Sequence, residues 1–201
     1  MKKSHGGIWI TLVGLLLIAA YFCFEIKHFK PQQPQVPETI VKHIYHQPKS
    51  RVFETVLFLQ PKLDPFIAQP IAEAVEESCA KYGIPTSFVL ALIRHESEFD
   101  PIVVSKAGAI GLMQILPKWH PEKVTKDLFI IKNNVDIGCQ ILSEYLRENN
   151  WDIYKALNSY LGKNAKRGEV KSYVLKILQT NLDIAFFLQT LPTEYEEKTN
   201  G

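Results

Sequence analysis

Residues 67–97 read IAQPIAEAVEESCAKYGIPTSFVLALIRHES, and their spacing decides the fold class. Ile67, Ile71, Ala74, Val75 and Cys79 recur at helical intervals, and Gly83 supplies the residue type that ends a helix in a left-handed conformation. Pro85, Thr86 and Ser87 then open a second helix that runs to about Ser97, with Phe88, Val89, Leu92 and Ile93 on one side. Neither half shows the apolar–polar alternation of a strand. The same period continues downstream. A helix is expected over Asn134 to Glu148, with Ile137, Ile141, Leu142, Tyr145 and Leu146 inward. Asn150 is read as the cap of the next helix, which carries Ile153, Leu157 and Tyr160. A last helix from about Glu169 to Leu188 carries Val170, Val174, Ile177 and Leu178. The expected fold is all-α, with a single domain over residues 52–190.

Outward from this block the chain changes character twice. Ile8–Phe24 (IWITLVGLLLIAAYFCF) is free of charge and follows Lys2 and Lys3. As a helix it would span roughly 25 Å, slightly short of a hydrocarbon core but tolerable with local thinning. A cleaved signal peptide is the competing reading, disfavoured because bulky Tyr21 and Phe22 follow Ala19 and Ala20. Residues 1–7 would then stay on the cytoplasmic side. Lys27 and Lys30 offset Lys2 and Lys3, so flanking charge alone does not orient the segment. Residues 25–51, with KPQQPQVPE and HQPKS, are rich in Pro and Gln and read as a semi-extended tether. Residues 191–201 form a polar tail.

Composition narrows the function. The chain has 201 residues, 46% of them hydrophobic, enough for one core and too apolar for disorder throughout. Its net charge of +2 gives no footprint for nucleic acid. Three scattered cysteines (Cys23, Cys79 and Cys139) make neither a disulfide scaffold nor a zinc cluster, so a metal site of the Cys/His type is not expected. Cys79 and Cys139 fall on apolar stripes and read as buried thiols, with a disulfide as the lesser alternative. His43 and His46 of the tether read as solvated.

Glu96 stands out. At 100° per residue it lies about 20° from Val89 and about 40° from Leu92, so its carboxylate leaves the helix on the apolar side. Apolar surroundings raise a carboxyl pKa, as a general acid near neutral pH requires. On spacing alone the residue could equally be a helix-end side chain reaching water. His95, its neighbour, points elsewhere on the helix.

HESEFDP at 95–101 followed by SKAGAIGLMQILP at 105–117 resembles the signature of the lysozyme-like lytic transglycosylases of the soluble type. The resemblance continues more loosely through Asn134, Gly138, Leu146, Ala156, Leu157 and Tyr160 and ends near Tyr173 and Val174. It implies a lysozyme-like domain that cleaves the β-1,4 bond between N-acetylmuramic acid and N-acetylglucosamine, leaving 1,6-anhydro ends. Glu96 falls on the family's single catalytic acid/base, with Ser97 serving helix-end hydrogen bonding. Ser105, Met113 and Gln114 fall where the family lines its saccharide groove. Tyr160 falls on the tyrosine whose hydroxyl points toward the catalytic carboxylate, although from the residues alone it fits core packing with Ile153 and Leu157. The resemblance implies peptidoglycan glycan strands as a partner and no cofactor; the apolar run at residues 8–24 adds the inner membrane, and a cell-envelope machine is a further expected partner. The apolar run and the resemblance together give the expected location, a single-pass inner-membrane protein with its catalytic domain in the periplasm.

One departure is local: Ser159-Tyr160-Leu161-Gly162 replaces the family's Ala-Tyr-Asn-Ala-Gly, and Leu161 lacks the amide of Asn. Two alternatives stay open. A muramidase hydrolase on the same fold would need a positioned water and a second carboxylate from Glu98, Asp100, Asp127 or Asp136. A non-catalytic wall-binding subunit of a secretion machine would need neither.

Overall fold

A computed structural model describes residues 50–162 and 166–192. The expected anchor (8–24), Cys23, His43, His46, nearly all of the tether and residues 193–201 of the tail lie outside the described residues. Among the described residues six α-helices make the frame: α1 Arg51–Leu59, α2 Pro65–Tyr82, α3 Thr86–Glu96, α4 Ile131–Glu148, α5 Ile153–Leu161 and α6 Arg167–Thr190. A short 3-10 turn covers Pro117–Trp119. Among the described residues there is no β-strand, and the only pairings of that kind are two isolated bridges, Val104 with Ile110 and Ile110 with Ile115. None of the described helices is long and apolar enough to cross a membrane.

Each helix begins and ends for a chemical reason. Ser50 Oγ accepts from Phe53 N at 3.1 Å, so α1 opens at Arg51, inside the stretch read as tether. Asp64 caps α2 through Phe66 N (2.9 Å), and Pro65 occupies the first turn, where a missing N–H costs nothing. Gly83 ends α2 with φ +69, and its N–H bonds Cys79 O at 2.9 Å, as the sequence predicts. The cap of α5 differs from expectation. Asp152, not Asn150, accepts from the α5 amide of Lys155 (3.1 Å). Asn150 and Trp151 both take left-handed φ (+53 and +62), which an N-cap does not. Helix α4 also starts earlier than expected, at Ile131, because the backbone turns helical once Asn134 N reaches Ile130 O.

Helix α3 sits at the centre, packed by α2 on one side and α6 on another, with α1 also touching it. Phe88, Val89, Leu90, Ala91, Leu92 and Ile93 are all buried. The spacing predicts one apolar stripe; Leu90 and Ala91 are buried as well, because α1, α2 and α6 all pack on this segment. Each of its large side chains contributes about 1.5–3 kcal/mol by leaving water. That rigid setting carries Glu96 at the helix terminus. Against it, α2 packs on α4, where Cys79 and Cys139 meet as buried free thiols; contact with Cys79, then burial, raises the Cys139 thiol well above its ordinary range.

Candidate active site

Helix α3 stops because the chain cannot continue past Glu96. Ser97 Oγ and N both bond Ile93 O (3.2 and 3.1 Å), closing the last turn. Glu98 and Phe99 then adopt left-handed φ of +53 and +68, an uncommon conformation for such side chains. Burial of Phe99 and a bond from Gln60 Nε2 to Glu98 O (3.1 Å) hold this turn. Asp100 Oδ1 accepts from Ile102 N at 3.0 Å, so Asp100 serves the turn.

The loop that follows is irregular yet tightly tied. Ser105 N bonds Ala109 O (2.9 Å), while Ser105 Oγ accepts from Ala109 N (3.0 Å). Gln114, at φ +46, donates from Nε2 to Gly111 O (3.0 Å) and Val103 O (3.3 Å). Asn134 of α4 fastens the whole. Its Oδ1 accepts from Met113 N, and its Nδ2 donates to Ile110 O and Leu128 O, all at 2.9 Å. Gly111 is required there: with φ +71, a Cβ on it would lie 2.3 Å from Asn134 Nδ2.

The result is a cleft of about 260 Å³. Glu96, Ser105, Gln114 and Tyr160 all line it, which brings together four of the five sequence-predicted site residues. Met113 does not. Its side chain is fully buried, packed so closely that a Cβ on Gly138 would sit 2.3 Å from its Sδ. The reason is the wedge of Gly138 in α4, which admits a long apolar side chain and draws it inward. Met113 serves the site through its carbonyl, which accepts from Tyr160 Oη at 2.8 Å.

Tyr160 is corrected with it. Its hydroxyl donates to Met113 O, and the hydroxyl that donates to Glu96 Oε1 belongs to Tyr173 of α6. Burial, followed by the Glu96 charge, raises the Tyr173 phenol well above its ordinary range, so it stays protonated and a donor. Burial pushes the Glu96 carboxyl from 4.5 up to about 7, against the opposing pull of the Tyr173 bond. Among the residues lining the cleft, Glu96 is the sole carboxylate. Glu98 instead faces solvent beside Arg94 (3.3 Å), Asp127 caps Phe129 N, and Asp136 bonds Lys81 and Tyr82. His95 also turns away, bonding Thr180 Oγ1 and Lys176 O.

The other wall is aromatic. Trp119, His120 and Tyr145 line the cleft together with Leu161. None of these three aromatics stands out in the sequence, where Tyr145 reads as core. Tyr173 is likewise visible only as the limit of a resemblance, since beside Val174 it fits the buried face of its helix.

An all-helical frame that sets one half-buried carboxylate at a helix end, facing an aromatic-walled cleft, is of the lysozyme-like class. A family model described as the Transglycosylase SLT domain matches residues 73–177, and the chain belongs to that family. The membrane-bound lytic murein transglycosylase C of Yersinia pestis (strain Pestoides F) is 36% identical over 80 residues, covering 34% of this chain and 22% of that protein. The protein of the same name from Yersinia pseudotuberculosis serotype O:1b (strain IP 31758) matches with the same figures. The chain thus spans about a fifth of the length of these curated relatives. A solved structure of an inactive mutant of the lytic transglycosylase Slt from Pseudomonas aeruginosa shares the fold. It has a TM-score of 0.52 and 20% identity, covering 60% of this chain and 24% of that one.

Proposed function

We propose that this chain is a peptidoglycan lytic transglycosylase in which Glu96 acts first as acid and then as base. The observation that carries the reading is the placement of Glu96. It is the sole carboxylate lining the cleft, and burial pushes its carboxyl to about 7, where both protonation states are populated near neutral pH. Protonated Glu96 gives its proton to the bridging oxygen between N-acetylmuramic acid and N-acetylglucosamine. The C1–O bond breaks and the downstream strand leaves as an alcohol. The muramyl C6 hydroxyl then bonds to C1, and its proton returns to the Glu96 carboxylate. No water is consumed and the acid is restored. Tyr173 orients the carboxylate. Ser105, Gln114 and Tyr160 hold the glycan, and Met113 contributes by fixing Tyr160.

Residues 8–24 anchor the chain in the inner membrane, residues 25–51 tether it, and residues 52–190 act in the periplasm. The charge-free Ile8–Phe24 run supports this, as does the membrane-bound name carried by the Yersinia relatives. An envelope machine remains the proposed further partner.

The test is product analysis of purified sacculi. Wild type should release muropeptides ending in 1,6-anhydromuramic acid, lighter by one water than hydrolase products. Glu96→Gln should lose at least about 10²–10⁴-fold in rate while staying folded. Reducing-end products would make the enzyme a muramidase, and near-normal turnover in the Gln variant would remove Glu96 from the mechanism.

A further inference from the structure

Trp119 ends the 3-10 turn, is 47% exposed, and lines the same cleft as Glu96. A large indole half open to water beside a cleft loses burial energy that it would gain in the core. Its position is fixed from two directions. Pro117 restricts the start of the turn, and Trp119 N bonds Leu116 O at 3.0 Å. The outer edge of the six-membered ring abuts Gly162, where a Cβ would lie 2.6 Å from Cη2 and 2.8 Å from Cζ3. Any side chain at position 162 would displace the indole.

Neighbouring rings continue the wall inward. His120 meets Tyr145 edge-on at 6.2 Å, and Tyr145 meets Tyr160 edge-on at 6.4 Å. Tyr160 is tied in turn to the loop through Met113 O. The indole lines the same cleft as this braced row of rings, whose last member, Tyr160, lies with Glu96 in the cleft wall. A β-1,4-linked N-acetylhexosamine strand is a matching ligand, because each pyranose ring presents a flat face of C–H groups between its polar edges.

We propose that Trp119 is a saccharide-stacking platform that sets how firmly the glycan strand is held, resting on the reading of this cleft as a glycan site. It also gives the Leu161-Gly162 departure a physical role. Leu161 lacks the amide of the family's Asn, and the glycine at 162 makes room for the indole.

The test uses the full-length chain carrying Glu96→Gln, titrated with the N-acetylglucosamine hexamer, in a Trp151→Phe background that removes a second exposed indole. Indole emission should change on binding. Trp119→Ala should weaken hexamer binding roughly 3–10-fold and abolish that change, and Trp119→Tyr should restore most of the affinity. With Glu96 intact, Trp119→Ala should raise KM on sacculi and leave kcat within about twofold. Unchanged affinity in Trp119→Ala, equal impairment of the Ala and Tyr variants, or no hexamer binding by the parent overturns the assignment. Product analysis separates this from the reading of the activity: Trp119-dependent binding without anhydro products would sink the transglycosylase and keep the platform.

Discussion

Helix α4 and the loop between residues 97 and 116 lie against each other and are held by opposite means. Helix α4 repeats one pattern: Val135, Ile137, Ile141, Leu142 and Leu146 point into the core, and the backbone bonds itself. Many apolar sequences would serve there. The loop has no period. It carries left-handed residues at Glu98, Phe99, Gly108, Gly111 and Gln114, and it is fastened by individual side chains, above all Asn134. Helical repetition builds the frame, and single irreplaceable contacts build the cleft.

That contrast breaks first at Asn134. Asn134→Ala removes three bonds, two of them buried, and leaves Met113 N–H buried without an acceptor, which should cost about 3–5 kcal/mol and lower activity with it. Urea unfolding measures the cost, and a change under about 1 kcal/mol would show that the loop holds itself.

Glu96→Gln sharpens the comparison, because the cleft should carry a stability penalty that the frame does not. The folded carboxyl titrates near 7 against an ordinary 4.5, so the folded state binds the proton more tightly. Its stabilising contribution is complete below about pH 4, declines as pH rises, and is gone above 7. Gln has no such dependence. The variant should match wild type near pH 4 and exceed it by about 3 kcal/mol at pH 8. Denaturation midpoints at the two pH values decide, and a pH-independent difference would mean that Glu96 is better solvated than its position indicates.

The smallest effect belongs to the frame. Asp152→Ala removes one cap from α5 and should cost about 1 kcal/mol without altering the products. A larger loss, or altered products, would mean that α5 is not replaceable scaffolding.

The same division explains what could be read from the sequence. The stripe of α2 and its stop at Gly83, the interior of α4, and the end of α3 at Ser97 are all legible, because local period and capping chemistry specify them. The side of the helix that Glu96 leaves from is legible from its place beside Val89 and Leu92, but its choice as the acid rests on the resemblance, because spacing alone fits a helix-end side chain reaching water equally well. Asn150 misleads because it is as good a cap type as Asp152, and only its left-handed backbone separates the two. Tyr173 hides because its partner lies 77 residues away and its helical position fits core packing equally well. Met113 misleads because the pocket that swallows it is made by Gly138 on another helix. Trp119 hides for the same reason, since what gives it a role is the missing side chain of Gly162.

The bond from Tyr173 to Glu96 has a consequence for synthesis. The acid is made first and its partner 77 residues later, on the final helix of the frame. A nascent chain halted before Arg167 contains the loop, its Asn134 fastening and the whole aromatic row, yet it lacks the phenol that orients the carboxylate and the helix that covers α3. The site is therefore completed only once α6 has been made. The acid is thereby left without its partner until the last of the described helices has been made.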